Sequence, residues 1–444
     1  MDTTASSPSF AHRLVHGVPF FYGWIVLAAA TIGMAATLPA QTAGVSLFID
    51  AMIADLGLSR TTVSWMYTVA TVAGASALPL VGRFMDRFGP RRAVLIVTTL
   101  LALTCAGMGY VGGWVTLLLG FLLLRGLGQG ALGLVNNHAV NLWFERRRGV
   151  AIGILGLGMA GATALFPPLI NDLIELHGWR MTYPLMGAAV AAVMLPLGLL
   201  FYRAAPERFG LQPDGADPPD DPTEDTASDS TASDSTASYI EGLTVDEARR
   251  TWTFWLITAG GVCTAGLGTG LLFHHFSILG GNGIGRDVAA LLFVPLGVLT
   301  AGSNLGSGWL VDHFSPRRLL GVLLVLFGAM LAAIPLVTAP ALVWAYGIVF
   351  GVAQGMQGAI LGSAYAYYFG RAHHGAVRGL ATTVFVGGTA IGPPLLALGP
   401  DWFGGYAPVL WGLTPLPLGL AAAAFAAETF DWDAEHLVAE TEAA

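Results

Sequence analysis

Long apolar runs recur along almost the whole chain, separated by short charged or turn-forming stretches, and they limit the possible folds more than any other feature. Hydrophobic residues make up 55% of the 444 residues and charged residues only 11%, whereas a soluble domain carries about 25% charged residues. A helix of about 20 apolar residues crosses the hydrocarbon core of a bilayer. The sequence therefore predicts an all-α, polytopic membrane protein, with the lipid bilayer as a partner.

Counting these runs predicts twelve transmembrane helices, which we call spans 1 to 12. The two cysteines, Cys105 and Cys263, both fall inside spans, which argues against a disulfide framework. The predicted bounds of the spans are 22–48, 61–82, 93–111, 115–143, 149–171, 181–202, 252–278, 288–310, 319–337, 341–369, 376–398 and 404–427.

The distribution of arginine predicts the orientation of the spans, because cytoplasmic loops carry an excess of basic residues. The chain has no lysine, so all 20 basic residues are arginines. With both termini placed inside, outer segments hold only Arg60, Arg180 and Arg286, Arg125 falls inside a span, and the remaining sixteen arginines fall in inner segments. We therefore predict a multi-pass protein of the cytoplasmic (inner) membrane with both termini in the cytoplasm.

The segment 204–250 is predicted to be a cytoplasmic linker between two halves. Its middle reads DPPDDPTEDTASDSTASDSTAS, which is acidic and too poor in apolar residues to fold, so we expect it to be largely disordered. We interpret it as a solvated tether, with a phosphorylation or docking site as the alternative. The predicted domains are a cytoplasmic N-terminal segment, a six-helix bundle, the linker, a second six-helix bundle and a cytoplasmic tail, at 1–21, 22–203, 204–250, 251–427 and 428–444.

The two halves repeat one another at an offset of 225 or 226 residues. GRFMDRFGPRR at 82–92 matches GWLVDHFSPRR at 308–318, and RGLGQG at 125–130 matches FGVAQG at 350–355. Chance similarity between apolar segments does not produce ordered matches at one offset. Two homologous bundles joined by a linker are the layout of a transporter that works by alternating access.

The repeated loop between spans 2 and 3 also resembles the signature loop of the major facilitator superfamily. The resemblance implies two pseudo-symmetric six-helix bundles and a cytoplasmic gate, in which an aspartate at a helix end pairs with arginines and with the positive N-terminus of a helix in the other half. The alternative interpretation of the arginines is a topology signal alone. The matching residues are Gly82, Asp86, Arg87, Gly89, Arg91 and Arg92, with the echo Gly308, Asp312, Arg317 and Arg318.

Within that superfamily the chain is similar to the bacterial oxalate/formate antiporters and the monocarboxylate transporters. The matching stretches are FYGW at 21–24, GWR at 178–180 and FGLQPDG at 209–215, together with Pro-Pro pairs in spans 5 and 11. Members of this branch often carry an arginine in span 8 that grips a substrate carboxylate, and here that position is Asn304. Span 5 also lacks the Gly-Pro pattern of proton-coupled drug antiporters. The resemblance implies an organic-anion carrier without naming its substrate.

One arginine is predicted to lie in the middle of the membrane. Arg125 falls about 15 Å along span 4 at about 1.5 Å per residue, near the centre of a core about 30 Å thick. None of the 28 acidic residues is predicted at mid-depth, so no buried carboxylate neutralises it. We expect Arg125 to bind a substrate carboxylate through its rigid donor fork. The alternative is a structural pin bonded to backbone carbonyls or to a neighbouring span.

Further residues are predicted to line the substrate site. On a wheel of about 100° per residue, Gln129 and Asn136 share a face with Arg125. A break between Pro39 and Gly44 in span 1 would expose backbone and side-chain groups to substrate. Each lining residue could instead form a hydrogen bond between helices. Besides Gln129 and Asn136, the candidates are Gln41, Thr42, His274, Asn304, Gln354, Gln357 and Tyr365.

The sequence thus predicts a secondary active transporter of a small, monocarboxylate-like organic anion. Its transport would be coupled to protons or would work by exchange. His274 and His275 are the candidates for proton coupling, because histidine titrates near neutral pH, and the alternative role of each is packing. An exporter of a neutral or drug-like compound is the alternative function, and the lack of buried acids counts against it.

Other classes of protein find no support in the sequence. It shows no metal-ligand spacing, nucleophile elbow or phosphate loop, so we predict no enzyme, metal or cofactor. No nucleic-acid partner is expected, and we expect the transporter to function as a monomer.

Overall fold

The computed structural model describes residues 10–215, 242–370 and 373–426, and this part of the chain is almost entirely helical. Eleven of the described helices are long and apolar enough to cross a membrane. Pro340–Phe369 is a further helix of 30 residues, made more polar by two glutamines and several tyrosines. With it, the twelve predicted spans are accounted for, six in each of two pseudo-symmetric bundles.

The two bundles are the N-terminal half, spans 1 to 6, and the C-terminal half, spans 7 to 12. Spans 1 to 6 are Gly23–Leu56, Arg60–Met85, Pro90–Met108, Trp114–Trp143, Arg148–His177 and Trp179–Leu200. Spans 7 to 12 are Trp252–Phe273, Arg286–Val311, Pro316–Leu336, Pro340–Phe369, Ala376–Phe403 and Ala407–Ala426.

Local sequence signals explain where several spans begin and end. Pro90 and Pro316 occupy the first helical position of the equivalent spans 3 and 9, where proline loses no helical hydrogen bond. The Thr251 hydroxyl caps span 7 by accepting the backbone N–H of Phe254. Span 1 continues to Leu56, so its predicted end at residue 48 is wrong. It stops where Gly57 adopts the left-handed conformation, with φ 63°.

Span 1 is broken at its middle, as predicted. The turn Leu38–Ala40 is a 3₁₀ helix, and Gln41 after it is extended, with φ −77° and ψ 155°. The helix then resumes as Thr42–Leu56. Gly44 faces this turn, where an added Cβ would overlap the Leu38 carbonyl oxygen. Because only glycine fits there, the sequence itself specifies the tight approach of the two helical pieces.

The short segments around the halves define two faces of the molecule. The helix Phe10–His16 lies beside the turn Pro206–Phe209, and the His16 Nε2 atom is 3.0 Å from the Phe209 carbonyl oxygen. We call this face the inner side, because the arginine count predicts that it is cytoplasmic, and the opposite face the outer side.

The predicted linker packs against both halves at its two ends. Pro213–Gly215 lies against the N-terminal half, where an added Cβ on Gly215 would touch the Phe21 ring at 3.0 Å. At the other end, the Leu243 backbone N–H donates to the Phe369 carbonyl at 2.9 Å. The predictions of disorder for the central linker and of cytoplasmic tails fall on 216–241, 1–9 and 427–444, which lie outside the described residues.

Spans 7 and 11 approach each other through paired glycines. Added Cβ atoms on Gly266 and Gly270 would lie 2.8 Å and 2.7 Å from the carbonyl oxygens of Gly388 and Gly392. Each pair is separated by three residues and so lies on one helix face, the small-residue spacing that lets helices pack closely in a membrane. This contact forms one wall of the C-terminal half.

All the hydrogen bonds described between the two halves lie in the outer part of the molecule. Arg286, at the start of span 8, donates through Nε to the Asn171 side chain of span 5 at 2.8 Å and through Nη2 to the Leu47 carbonyl of span 1. Thr68 of span 2 donates to the Ala390 carbonyl of span 11, and the Thr61 hydroxyl donates to a distant carboxylate, Asp401. The outer side is therefore closed, and the conformation is inward-facing.

The glycine contact between spans 7 and 11 is open to a direct test. Gly392→Ala would place a methyl group on the Gly266 carbonyl oxygen, and overpacking of this kind costs about 1–3 kcal/mol. We expect a lower melting temperature for the purified protein in detergent. The control is Gly387→Ala on the same span, where no atom lies within 4 Å of the added Cβ. Equal melting temperatures for the two variants would contradict this packing.

Arg286 is expected to hold the outer side closed. Arg286→Gln removes charge-assisted hydrogen bonds to two spans of the other half, which raises the outward-open population about tenfold. The measurement is the labelling rate of a Thr68→Cys reporter by a membrane-impermeant thiol reagent, compared only among proteins that all carry this reporter, because it removes the hydrogen bond to Ala390. Cys105 and Cys263 are both buried, so background labelling is low.

The matched control for Arg286 is another outer arginine whose contacts stay within one half. Arg180 bonds to Asp55 and to the carbonyls of Gly109 and Val111, all in the N-terminal half. Arg180→Gln should leave the labelling rate of the reporter unchanged. If both arginine variants accelerate labelling equally, the substitutions loosen the protein in general, and the proposal that Arg286 holds the outer side closed is wrong.

Candidate substrate site

A cavity of about 500 Å³ lies in the C-terminal half between spans 7, 10 and 11. Three residues predicted from the sequence, Gln354, Gln357 and Tyr365, line it together from span 10. Tyr365 is held in place by a hydrogen bond of 3.1 Å between its hydroxyl and that of Thr258. The other lining residues are Ala265, Thr269, Gly358, Leu361, Gly362, Arg378, Ala381, Thr382, Phe385 and Thr389.

Arg378 is the only charged residue among the described residues that line this cavity. It lies in the first turns of span 11, on the side of the cavity nearest the inner face, and its side chain is exposed. Sequence reasoning counted it as a loop arginine that only signals topology. Its place two residues inside the predicted span 376–398 was the signal that could have identified it.

The N-terminal half contains the predicted arginine in a different setting. Arg125 is only 5% exposed. Its Nη1 donates to the Ala40 carbonyl at 3.0 Å, at the break of span 1, and its Nε donates to the Thr71 hydroxyl of span 2 at 3.0 Å. The guanidinium carbon also lies 4.7 Å from the centre of the Tyr67 ring, a favourable cation–π geometry. Arg125 therefore ties spans 1, 2 and 4 together.

The tyrosine in this cluster connects Arg125 to the other half. The hydroxyls of Tyr67 and Thr42 share a hydrogen bond of 2.8 Å, and the Tyr67 ring lies 4.8 Å from that of Phe273 in span 7. Phe273 follows Thr269 of the cavity by four residues, which is about one helical turn. The Arg125 cluster and the cavity thus contact the same helix one turn apart. Tyr67 and Thr71, which the sequence analysis missed, share one face of an apolar span.

The helical wheel drawn for span 4 assumed a regular α-helix, and this assumption is wrong. Arg125–Leu132 forms a π-helix, whose wider turns change the direction of every later side chain. Gln129 is exposed, whereas Asn136 is fully buried. The Asn136 Oδ1 accepts a hydrogen bond from Tyr202, and its side chain packs against Gly33. The structure does not bring Asn136 to the cavity.

Three other predicted residues lie beside these two regions. Gln41 donates to the Thr37 hydroxyl at 3.0 Å, so its side chain bonds across the break of span 1 within the same span. Thr42 reaches Tyr67 as described above. Asn304 is exposed on span 8, and its Oδ1 lies 3.7 Å from the position of a Cβ on Gly358. Asn304 therefore packs against Gly358, which lines the cavity, and is not itself a lining residue.

The two adjacent histidines have different surroundings, and both are fully buried. The Pro393 carbonyl, 2.8 Å from Nε2 of His274, can only accept, so Nε2 carries the proton and Nδ1 faces the Tyr406 hydroxyl at 3.1 Å. The Ser64 hydroxyl of the other half lies 3.5 Å from His274. His275 donates to the Ala289 carbonyl at 2.8 Å and packs within the C-terminal half. Neither histidine lines the cavity.

The residues of the predicted cytoplasmic gate are only partly described. Gly89 has φ 80° and ψ 163°, a conformation that favours glycine. Arg87, Arg91 and Arg92 are exposed, and so is Arg318 in the equivalent loop, while the Arg317 backbone N–H donates to the Tyr368 hydroxyl at 3.2 Å. Gly82 lies on span 2, half-buried. The side chains of Asp86 and Asp312 and the surroundings of Gly308 lie outside the described residues, so the cytoplasmic gate stays a prediction.

The motif FGLQPDG has a structural role on the inner side. Asp214 adopts φ 60° and accepts the backbone N–H groups of Glu145, Arg146 and Arg147 at 2.5–3.2 Å. Partial burial raises the pKa of the Asp214 carboxyl, but the three N–H donors outweigh it and hold this pKa below its ordinary value. The motif therefore fastens the segment after span 6 to the loop between spans 4 and 5.

This arrangement of two six-helix bundles agrees with a family comparison. A family model described as Major Facilitator Superfamily matches residues 24–393. The chain belongs to the Major Facilitator Superfamily. It is a multi-pass membrane transporter and not an enzyme.

The curated relatives match this chain over only part of their own length. The chain is 28% identical over 155 residues to the oxalate:formate antiporter of Oxalobacter formigenes, which covers 35% of each chain. It is 26% identical over 316 residues to monocarboxylate transporter 11 of Mus musculus, which covers 70% of this chain and 63% of the relative. The matches thus span between about a third and two thirds of these curated relatives.

A solved structure in the superfamily shows the same fold. The D-xylose–proton symporter superimposes with a TM-score of 0.68 at 14% identity, over 92% of this chain and 98% of that chain. This likeness concerns the fold alone.

Proposed function

We propose that this member of the superfamily is a secondary active transporter of a small organic anion, of the monocarboxylate or short dicarboxylate type. The observation that carries the proposal is the cavity between spans 7, 10 and 11. Arg378 is the one charged group among its described lining residues. A cavity with a net positive charge favours an anion and disfavours a cation.

The lining of the cavity suits a small carboxylate. The guanidinium of Arg378 presents a fork of donors that matches a carboxylate, and two glutamine amides and three threonine hydroxyls add neutral donors. The volume of about 500 Å³ lies within the range of ligand pockets, about 300–1,000 Å³. The printed names of the relatives, an oxalate:formate antiporter and a monocarboxylate transporter, point to the same class of substrate.

Arg125 would supply a second positive charge beside the cavity. Two of its nitrogens are used by Thr71 and Ala40, and its guanidinium also packs against the Tyr67 ring. We propose that Arg125 mainly fixes the break of span 1 and adds to the positive field. In this division of roles, Arg378 contacts the substrate carboxylate and Arg125 positions the spans that close over it.

Alternating access would begin from the inward-facing state described above. Arg378 and Tyr365 lie toward the inner ends of spans 11 and 10, so substrate would enter from the inner side. We propose the cytoplasmic membrane as the location, with both termini in the cytoplasm and the monomer as the functional unit. The arginine distribution supports this orientation.

Transport in proteoliposomes tests the roles of the two arginines. The substrates are radiolabelled formate, oxalate and lactate. Arg378→Gln removes the charged partner of the carboxylate, so we expect kcat/KM to fall about tenfold or more, mostly through KM. Arg125→Gln should lower transport and also lower the melting temperature, because it frees the Ala40 carbonyl.

The matched control is Arg250→Gln, an exposed inner arginine outside both regions, which should transport at the wild-type rate. The proposal fails if Arg378→Gln transports these anions normally. It also fails if the wild-type protein carries only neutral or cationic compounds, which would favour the alternative of a drug-like exporter.

We propose exchange rather than proton coupling through the two histidines. Both nitrogens of His274 already have partners, Nε2 the Pro393 carbonyl of span 11 and Nδ1 the hydroxyl of Tyr406 just before span 12. Two buried histidines outside the cavity are better explained as packing groups than as a proton path. Exchange of an internal for an external anion needs no proton site.

The expected result is anion exchange whose rate does not respond to an imposed pH gradient. His274→Gln should weaken the contact between spans 7 and 11 and slow exchange, without creating or removing pH dependence. His275→Gln is the matched control, since its hydrogen bond goes to the Ala289 carbonyl and not to span 11. A pH-driven uptake in the wild type that His274→Gln abolishes would show that His274 does couple protons.

A further inference from the structure

A second cavity, of about 750 Å³, lies on the inner face of the N-terminal half. Its walls are the loop between spans 2 and 3, the inner end of span 4, and the segment that follows span 6. It takes no part in the proposed substrate site, which lies in the other half. Six of its lining residues are basic: Arg87, Arg91, Arg92, His138, Arg203 and Arg208.

Arg203 is the deepest of these side chains and is only 3% exposed. Its Nη1 donates to the carbonyls of Leu199 and Tyr202 at 3.2 Å and 2.9 Å. Its Nε is buried and has no hydrogen-bond partner among the described residues. A buried guanidinium that lacks a full set of acceptors is costly. Arg203 is one of the residues that line the cavity, so its incompletely bonded guanidinium is placed where an anion could add to its acceptors.

The charges that surround Arg203 are all of the same sign in the described part of the lining. No acidic residue is among the described residues that form the cavity wall; the side chain of Asp86, between the lining residues Met85 and Arg87, lies outside the described residues. Five arginines line one cavity, and the repulsion between their like charges favours an anion among them.

The segment that carries Arg203 and Arg208 is fixed in place, so the cavity is built into the fold. The Tyr202 side chain is fully buried and donates to Asn136 of span 4. The Phe209 ring stacks 6.5 Å from that of Trp143, and the chain then turns at Gly210, where φ is 71°. The arginines thus converge because the segment folds back against span 4.

We infer that this cavity binds a phosphate-bearing anion at the membrane surface. The planar donor fork of arginine matches the oxygens of phosphate, and five guanidinium groups favour a multiply charged ligand. The cavity lies at the inner ends of spans 2, 3, 4 and 6, at the depth of lipid headgroups on the leaflet that carries anionic lipids. Two sources supply this chemistry, an anionic phospholipid headgroup and a free phosphate ester, and the experiment distinguishes them.

The pseudo-symmetric half supplies an internal comparison. Arg91 and Arg92 correspond to Arg317 and Arg318 at the offset of 226 residues. At the same offset Arg203 corresponds to Thr429, so the sequence has no arginine at the equivalent position after span 12. Both loops carry the basic residues that the orientation rule requires, but only the N-terminal loop has Arg203 beside it, so only this loop is expected to bind phosphate.

Binding can be measured on the full-length protein purified in a neutral detergent. The probes are dioctanoyl phosphatidylglycerol, glycerol 1-phosphate and inorganic phosphate, with dioctanoyl phosphatidylcholine as the zwitterionic reference. The readouts are native mass spectrometry and the ligand-induced shift in melting temperature. We expect phosphatidylglycerol to bind more tightly than phosphatidylcholine. If glycerol 1-phosphate binds as tightly as phosphatidylglycerol, the natural ligand is a free phosphate ester. If glycerol 1-phosphate does not bind, the natural ligand is the lipid.

Variants at the rim distinguish binding in the cavity from a general attraction of anions to the basic inner face. Arg92→Gln with Arg208→Gln removes two exposed donors without touching buried Arg203, and should weaken binding about tenfold or more. Arg318→Gln in the equivalent loop should leave binding unchanged. Arg203→Gln should weaken binding as well, and its melting temperature without ligand reports separately on folding.

Three outcomes would overturn the inference. The first is no binding of any phosphate probe, and the second is an equal loss in the rim variant and in Arg318→Gln. The third is binding that appears only after deletion of residues 216–241, which would show that the acidic linker of the same chain occupies the cavity.

Discussion

The hydrogen bond from the Arg125 guanidinium to the Ala40 carbonyl makes the rest of the N-terminal half possible. A broken helix leaves backbone groups without partners, and in the hydrocarbon core no water can replace them. Arg125 satisfies one such carbonyl, while Thr71 and the Tyr67 ring hold the guanidinium in place. The cost of placing a charge at this depth is thus offset by a structural need. The break in turn sets the position of Thr42, and through Tyr67 it contacts span 7 of the other half.

The two halves use their common architecture for different purposes. The N-terminal half buries its membrane arginine in a rigid cluster, whereas the equivalent position in the C-terminal half is Phe350, which packs against Tyr346 and Phe327. The C-terminal half instead holds a cavity lined by glutamine, threonine and apolar side chains, with Arg378 at its edge. Close glycine packing of spans 7 and 11 supports one wall of that cavity. Among the described residues, hydrogen bonds such as that of Arg286 with Asn171 join the halves on the outer side, which leaves the inner side as the proposed route to the cavity.

Sequence reasoning succeeded where the signal is local or periodic. The spans follow from hydrophobic length, the pseudo-symmetry from the fixed offset, and the break of span 1 from Pro39 and Gly44. It also brought Gln354, Gln357 and Tyr365 together, because they share one helix. It misplaced Asn136, since no sequence pattern announced the π-helix at Arg125–Leu132. It overlooked Arg378 because a basic residue near a span end is usually a topology signal.

The sequence by itself determined the helical membrane fold, the two halves and the presence of an uncompensated arginine in span 4. These properties depend on composition and spacing along the chain, which the bilayer converts directly into helices. Only the tertiary structure decided which groups Arg125 bonds and which half holds the cavity. It also decided that each of the two histidines is buried and bonded to a backbone carbonyl. Those outcomes depend on contacts between spans that are distant in sequence, and small changes in helix phase redirect a side chain from cavity to core.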